Sequence, residues 1–198
     1  PYAEESRRAF AVILAMPFAM QPAGAADRWG RAPAVLLLAG GESAQAVLVA
    51  QGAAQVAPEG DDHDFIRTLL ALEEEARAAR RGLWAHQRYR VHDAGDARRA
   101  IGAFNLVEGA PLAAARRGGR VYLNFGDDYR TDFTASARAG LARAWARNGL
   151  DLETLAGERL RIRGYVAAVN GPSVDLAHPL QIERLDMKTP TARQGAPA

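Results

Sequence analysis

The period of the apolar residues changes partway along the chain, and that change restricts the possible folds more than any other feature. Phe65, Leu69, Leu72, Ala76 and Ala79 recur at three- and four-residue steps, which places them on one face of a helix. Farther on, Val121, Leu123 and Phe125 alternate with Tyr122 and Asn124, the pattern of a strand with one buried face. Leu160, Ile162 and Val166 then alternate with Arg159, Arg161, Arg163 and Tyr165 in the same way. One repeating element cannot satisfy both periods, so the chain reads as two parts of different construction.

The first part opens with a helix over Ala3–Ala15, stopped by Pro17. Short strands are expected at Phe18–Gln21 and at Ala34–Leu38, the second closed by Gly40-Gly41. A second helix is expected over Ser43–Gln51, ending at Gly52. The third begins among Asp61, Asp62 and Asp64 and ends among Arg77, Arg80 and Arg81, with Gly82 as its stop; that charge order suits the helix dipole. Residues 86–99 are polar and aperiodic and read as a linker. From 100 to 187 the strands dominate: one at 121–125, a turn at Gly126-Asp127-Asp128 and a partner at Thr131–Ala135. A helix over Ala137–Asn148 follows, then the arginine-rich strand, an Asn170-Gly171 hairpin and a return at Ser173–Ala177. Five short strands around one helix suit a small OB-like barrel. Residues 188–198 read as a disordered tail. The fold class is therefore α+β, mainly β.

Composition adds bounds rather than identity. The 198 residues are 48% hydrophobic and 24% charged, as in an ordinary globular protein. The formal charge is only +2 although the isoelectric point is near 9.3, so charge alone singles out no partner. With no cysteine, the chain has no disulfide framework, thiol nucleophile or thiolate metal site. The apolar stretch Ala9–Met20 contains Pro17 and falls short of the ~20 residues that span a bilayer. The chain starts at Pro1, without an initiator methionine, and the expectation is of a processed protein or a piece of a longer one.

An ordered series of short motifs runs through the first part. Tyr2-Ala3-Glu4-Glu5 opens the first helix, and Asp27-Arg28-Trp29-Gly30-Arg31 precedes the apolar strand. Leu48-Val49-Ala50-Gln51-Gly52-Ala53-Ala54-Gln55-Val56 closes the second helix; Glu74-Glu75-Ala76-Arg77 and Arg81-Gly82-Leu83-Trp84 complete the series. Taken alone, residues 27–31 read as a charged turn. In its order and spacing, the series resembles the staphylococcal-nuclease-type (thermonuclease) family over about 85 residues. Val121–Thr134 also looks like a C-terminal region carried by some bacterial members.

The resemblance implies a five-stranded OB barrel with three helices, and Ca2+-assisted hydrolysis of DNA or RNA. A hard cation takes carboxylate oxygens, a carboxylate helps activate water, and arginine forks stabilise charge on the phosphoryl oxygens. By the same matching, Arg31 is catalytic as a phosphate-binding arginine, presented inward by Gly30, while Arg28 and Trp29 bind substrate. The family's aspartates, second arginine and glutamate precede the Tyr2 helix together with three barrel strands. The implied Ca2+ ligands are therefore absent from this sequence, no metal-ligating residue is assigned, and the chain by itself is expected to be inactive. The barrel is expected to be partial, with exposed strand edges that favour association. Ala57-Pro58-Glu59 stands where family nucleases can carry a nucleotide-stacking tyrosine. Members are often exported, so a periplasmic or secreted location is an expectation.

Other candidates lie in the second part. Arg159, Arg161, Arg163 and Tyr165 form a possible nucleic-acid face, with Arg116, Arg117, Arg120 and Tyr122 near it; the alternative is a solvated outer surface. Asp127, Asp128 and Asp132 suit a salt-bridged hairpin turn better than a metal cluster. The four histidines are too scattered for a zinc site, and Trp84 and Trp145 are expected in cores. The rival functions are a non-catalytic module binding nucleic acid or protein, and an envelope interaction protein.

Overall fold

The computed structural model describes residues 2–26 and 28–185, and the chain divides into two compact units between Arg90 and Val91. Asp27 and the tail at 188–198 lie outside the described residues. The architecture is α+β and mainly β, as expected: a two-stranded sheet with helices, then a second β unit.

In the first unit, helix α1 (Ala3–Leu14) buries only Ile13, and its Ser6 hydroxyl donates to the Ala53 carbonyl at 2.7 Å. Strands β1 (Phe18–Pro22) and β2 (Ala34–Leu38) form an antiparallel hairpin with Phe18 opposite Leu38 and Pro22 opposite Ala34. Helix α2 (Ala44–Ala50) is capped by Ser43, whose hydroxyl accepts from Ala46 N at 3.0 Å. Gln45 on this helix serves the edge of β2: its amide accepts from Leu36 N at 3.3 Å and donates to Ala34 O at 2.8 Å. One side chain thereby substitutes for part of a neighbouring strand. Every residue of β1 is nevertheless exposed, and Phe10, Val12, Leu14, Met16, Phe18 and Met20 are all exposed apolar side chains. An open groove lined by Val35, Leu37, Val47, Phe65 and Leu72 adds to this bare apolar surface.

Helix α3 (His63–Ala78) starts on Asp62, which caps Phe65 N at 2.9 Å. Its buried stripe is Ile66, Leu69, Glu73 and Ala76, rather than the stripe running from Phe65 to Ala79. Phe65 and Leu72 are only half-buried, and Ala79 is an exposed cap. Leu69 and Ala76 belong to both lines, so the buried face is the expected one turned toward Ile66 and Glu73. Glu73 is fully buried because its Oε1 accepts from Val56 N at 2.7 Å, fixing the segment after α2. The stop also differs from expectation. Arg80, at φ 52°, is the left-handed residue after α3, and Gly82 serves a close approach. A Cβ on Gly82 would stand 2.3 Å from Gly52 O, and one on Gly52 would stand 2.2 Å from Arg81 O. The two motif glycines bring the chains together, and Leu83 N bonds Gly52 O at 2.8 Å.

The stretch read as a linker is structured. Residues 82–85, 87–89 and 94–100 are 3-10 turns, whose short three-residue period leaves no amphipathic signature. Strand β3 (His92–Asp93) already belongs to the second unit and pairs in parallel with β4 (Phe104–Gly109). The remaining strands are β5 (Ala113–Arg117), β6 (Arg120–Asn124), β7 (Thr134–Arg138), β8 (Leu160–Tyr165), β9 (Ala167–Ala168), β10 (Pro172–Leu176) and β11 (Ile182–Arg184). Helix α4 (Ala139–Arg147) lies between β7 and β8.

One sheet runs β5-β6-β7-β10-β9 and the other β11-β8-β4-β3. Only 110–112 separate β4 from β5, and only Val166 separates β8 from β9. Each of these two runs therefore serves both sheets, and together they close the unit into a barrel of five strand runs with the OB order. The parallel pairing of β7 with β10 across α4 fits that order. Val107, Val121, Leu123, Ala135, Ile162 and Val174 fill the interior, with Trp145 from α4 packed against them. Each fully buried aliphatic side chain of this kind contributes about 1.5–3 kcal/mol. Strand β7 starts three residues later than expected. Asp132 and Asp128 hold residues 128–132 as a turn, through Asp128 N to Asp132 Oδ2 at 2.9 Å and Asp132 N to Asp128 O at 2.9 Å.

Candidate functional site

The β1–β2 hairpin projects a long loop, closed at its base by Ala23 N donating to Pro33 O at 2.9 Å. This loop carries three residues singled out from the sequence. Trp29 is 64% exposed, although indole rings are normally well covered. The Arg28 guanidinium lies 3.8 Å from the Trp29 ring centroid and that of Arg31 lies 4.9 Å away. Gly30 between them has φ 76°, and no atom lies within 4 Å of where its Cβ would be. Glycine is thus required by backbone angle, not by crowding. Arg31 is exposed beside the tryptophan rather than turned inward as the motif suggested. Each cation–π contact at such an exposed site contributes about 0.5–1 kcal/mol. Chemically, the loop offers two guanidinium forks and one aromatic surface on a single short segment, a combination suited to a phosphate next to a flat ring.

The second arginine cluster has a different environment. Arg163 is fully buried and donates through Nη2 to Glu183 Oε1 at 2.6 Å. Arg161 is 8% exposed and divides its donors between Glu108 Oε1 at 2.8 Å and Glu183 Oε2 at 3.1 Å. Arg159 is more open and reaches Glu108 Oε2 at 3.2 Å. Their strand is covered on both faces except at Tyr165. The reading of Arg159, Arg161, Arg163 and Tyr165 as one nucleic-acid face is therefore corrected: two of its three arginines are inaccessible and bound to carboxylates. The alternation was right, but the outward side of β8 is a second buried layer.

The acidic cluster is a turn. Asp128 Oδ1 accepts from Arg130 N at 3.0 Å, and Asp132 uses both oxygens on Asp128 N and the Thr131 hydroxyl. Among the described residues no three His, Cys, Asp or Glu side chains converge as a metal site. Those residues by themselves do not fit the calcium site that the resemblance implies. Trp84 and Trp145 are buried, as expected.

The structure assembles another basic surface, which the sequence reading located only in part. Arg117 stands opposite Arg120, and Arg120 opposite Arg138, across three adjacent strands. Tyr122 follows Arg120 on the same face. Arg138 is not legible in the sequence pattern, which begins the helix at Ala137, one residue before it, whereas β7 continues through it.

The first unit is thus a two-stranded antiparallel sheet with three helices, its hairpin loop carrying arginine, tryptophan and arginine side by side. Residues 1–86 match the family model described as staphylococcal nuclease homologue, and this segment is a staphylococcal-nuclease-like domain. The second unit lies beyond the matched range. No curated protein matches the chain. Among the described residues no helix is long and apolar enough to cross a membrane.

Proposed function

We propose that this protein hydrolyses phosphodiesters of DNA or RNA, and that its first unit supplies the phosphate-recognising part of the site. The arrangement of Arg28, Trp29 and Arg31 on the hairpin loop carries this reading, together with the nuclease-like family of residues 1–86. Arg31 stabilises charge as it builds on the phosphoryl oxygens; Arg28 contacts an adjacent phosphate, and Trp29 neighbours a nucleotide ring. The described residues do not assemble a calcium site, so no chemistry is assigned to a metal on them. Carboxylates beyond the described residues would have to supply the ligands of such a cation.

The test is nuclease activity of the natural full-length protein with calcium, on single-stranded DNA and on RNA. Arg31→Ala is expected to lower kcat by about 10²–10³-fold, in the range seen for loss of one transition-state donor. Arg31→Lys is expected to recover little, because an ammonium lacks the planar fork. Full activity of Arg31→Ala would remove Arg31 from the mechanism.

A further inference from the structure

The outward face of the five-stranded sheet in the second unit has a composition that its fold does not need. Core-facing residues alternate with it along each strand: Val121 and Leu123 on β6, and Ala135 and Ala137 on β7, are completely buried. The opposite face could be any polar surface. Instead it holds a row of three arginines, 117, 120 and 138, in cross-strand register. Two interstrand spacings of about 4.8 Å make this row about 10 Å long. Like charges placed directly opposite are destabilising in a sheet, so the row costs stability unless an anion meets it. Arg120 is partly neutralised by Asp175 and bonds the Ser136 hydroxyl at 3.0 Å. Arg117 and Arg138 are exposed and have no ion pair among the described residues.

Next to this row stands an aromatic platform. Tyr122 is two residues along β6 from Arg120, about 7 Å at a rise of about 3.4 Å per residue. Its cross-strand neighbours are Ala115 on β5 and Ser136 on β7, both too small to cover a ring. Beyond it lie Asn124 and Thr134, opposite each other, with the buried Thr134 hydroxyl donating to Asn124 Oδ1 at 3.4 Å. β6 and β7 are the second and third strand runs of the barrel, and in OB barrels that face receives oligonucleotides.

We infer that this face, with Tyr122 as stacking platform and Arg117, Arg120 and Arg138 as phosphate contacts, binds single-stranded nucleic acid. Three cations against one carboxylate give the charge complementarity. The ring with small flanks favours a stacked base over an acidic peptide, which would use the arginines alone. The surface lies on the second unit, so its assignment stands independently of the role proposed for Arg31.

The test is fluorescence anisotropy of labelled oligo(dT) and oligo(rU), about 15 nucleotides long, with the 198-residue chain in EDTA to prevent turnover. Binding is expected to weaken steeply between about 50 and 200 mM salt. Tyr122→Ala is expected to weaken it roughly tenfold, and Tyr122→Phe to preserve it, since stacking needs only the ring. Replacing exposed Arg117 and Arg138 together by alanine should reduce the log–log salt slope by about 1.4, two phosphate contacts' worth. Because neither side chain supports the core, this pair tests the face even if Tyr122→Ala fails to fold. Arg31→Ala, measured in parallel, separates the two surfaces: a Kd that rises with Arg31→Ala and not with the arginine pair would place the binding on the hairpin loop and overturn the inference. Absence of binding at about 50 mM salt would overturn the inference. So would an unchanged Kd in the arginine double variant, or polyglutamate competing as well as unlabelled oligonucleotide.

Discussion

The hairpin loop of the first unit and strand β8 of the second are both rich in arginine, yet they place it in opposite settings. In the loop, Arg28 and Arg31 lie over an exposed indole ring. On β8, Arg161 and Arg163 are enclosed, with Glu108 and Glu183 accepting their hydrogen bonds. A guanidinium beside an exposed aromatic ring on a loop stands where solvent reaches it. One buried with a carboxylate contributes to fold specificity and keeps no donor edge to spare. Both regions set arginines and an aromatic residue within a few positions of one another, so it is the partners that separate the proposed recognition loop from a structural network.

The largest expected effect tests the structural side of this contrast. Arg163→Ala should destabilise the second unit by about 3 kcal/mol, because it empties a fully buried position and leaves Glu183 with Arg161 alone. Urea unfolding followed by Trp145 fluorescence measures this, and a variant as stable as the parent would break the comparison. Arg159→Ala, on the exposed end of the same network, should change stability by no more than about 1 kcal/mol. On the recognition side, Arg31→Ala should leave the unfolding midpoint in place while lowering nuclease kcat about 10²–10³-fold. A shifted midpoint with normal turnover would reverse the roles assigned to the two regions.

Two glycines sharpen the contrast further. Gly52→Ala should cost about 1–3 kcal/mol, since both its φ of 68° and the nearby Arg81 carbonyl oppose a side chain. Gly30→Ala meets open space and should cost only the backbone term, about 1–2 kcal/mol. Differential thermal unfolding of the two variants checks the order. Equal costs would mean that the loop is as tightly packed as the contact between α2 and the end of α3.

Much of the fold was legible. Helix α1 and strand β2 fall where the pattern placed them, and the Ser43 and Asp62 caps sit at the expected starts. Strand β5 was not legible, because Ala113–Arg117 has no apolar alternation to read; its place comes from pairing with β6. Strand β4 was not legible either; with β5 it forms one of the five runs that close the barrel. Of the candidate sites, Arg28, Trp29 and Arg31 were legible only through the resemblance, since the segment alone reads as a charged turn; the approach of both guanidiniums to the ring came from the structure. The face around Tyr122 could be read only in part, since it depends on register across three strands.

By itself the sequence determined the change of period, the helix starts, the turn glycines and the motif series that marks the first unit. These are effects of neighbours within about one turn or one hairpin, where chain connectivity guarantees the contact. Only the tertiary structure decided which arginines face solvent. Arg161 finds Glu108 across 53 residues and Glu183 across 22. Arg117, Arg120 and Arg138 become one row only when β5, β6 and β7 pair in a single register. The physical reason is that a guanidinium's environment is set by whatever the sheet places beside it, and strand pairing is chosen by the whole core.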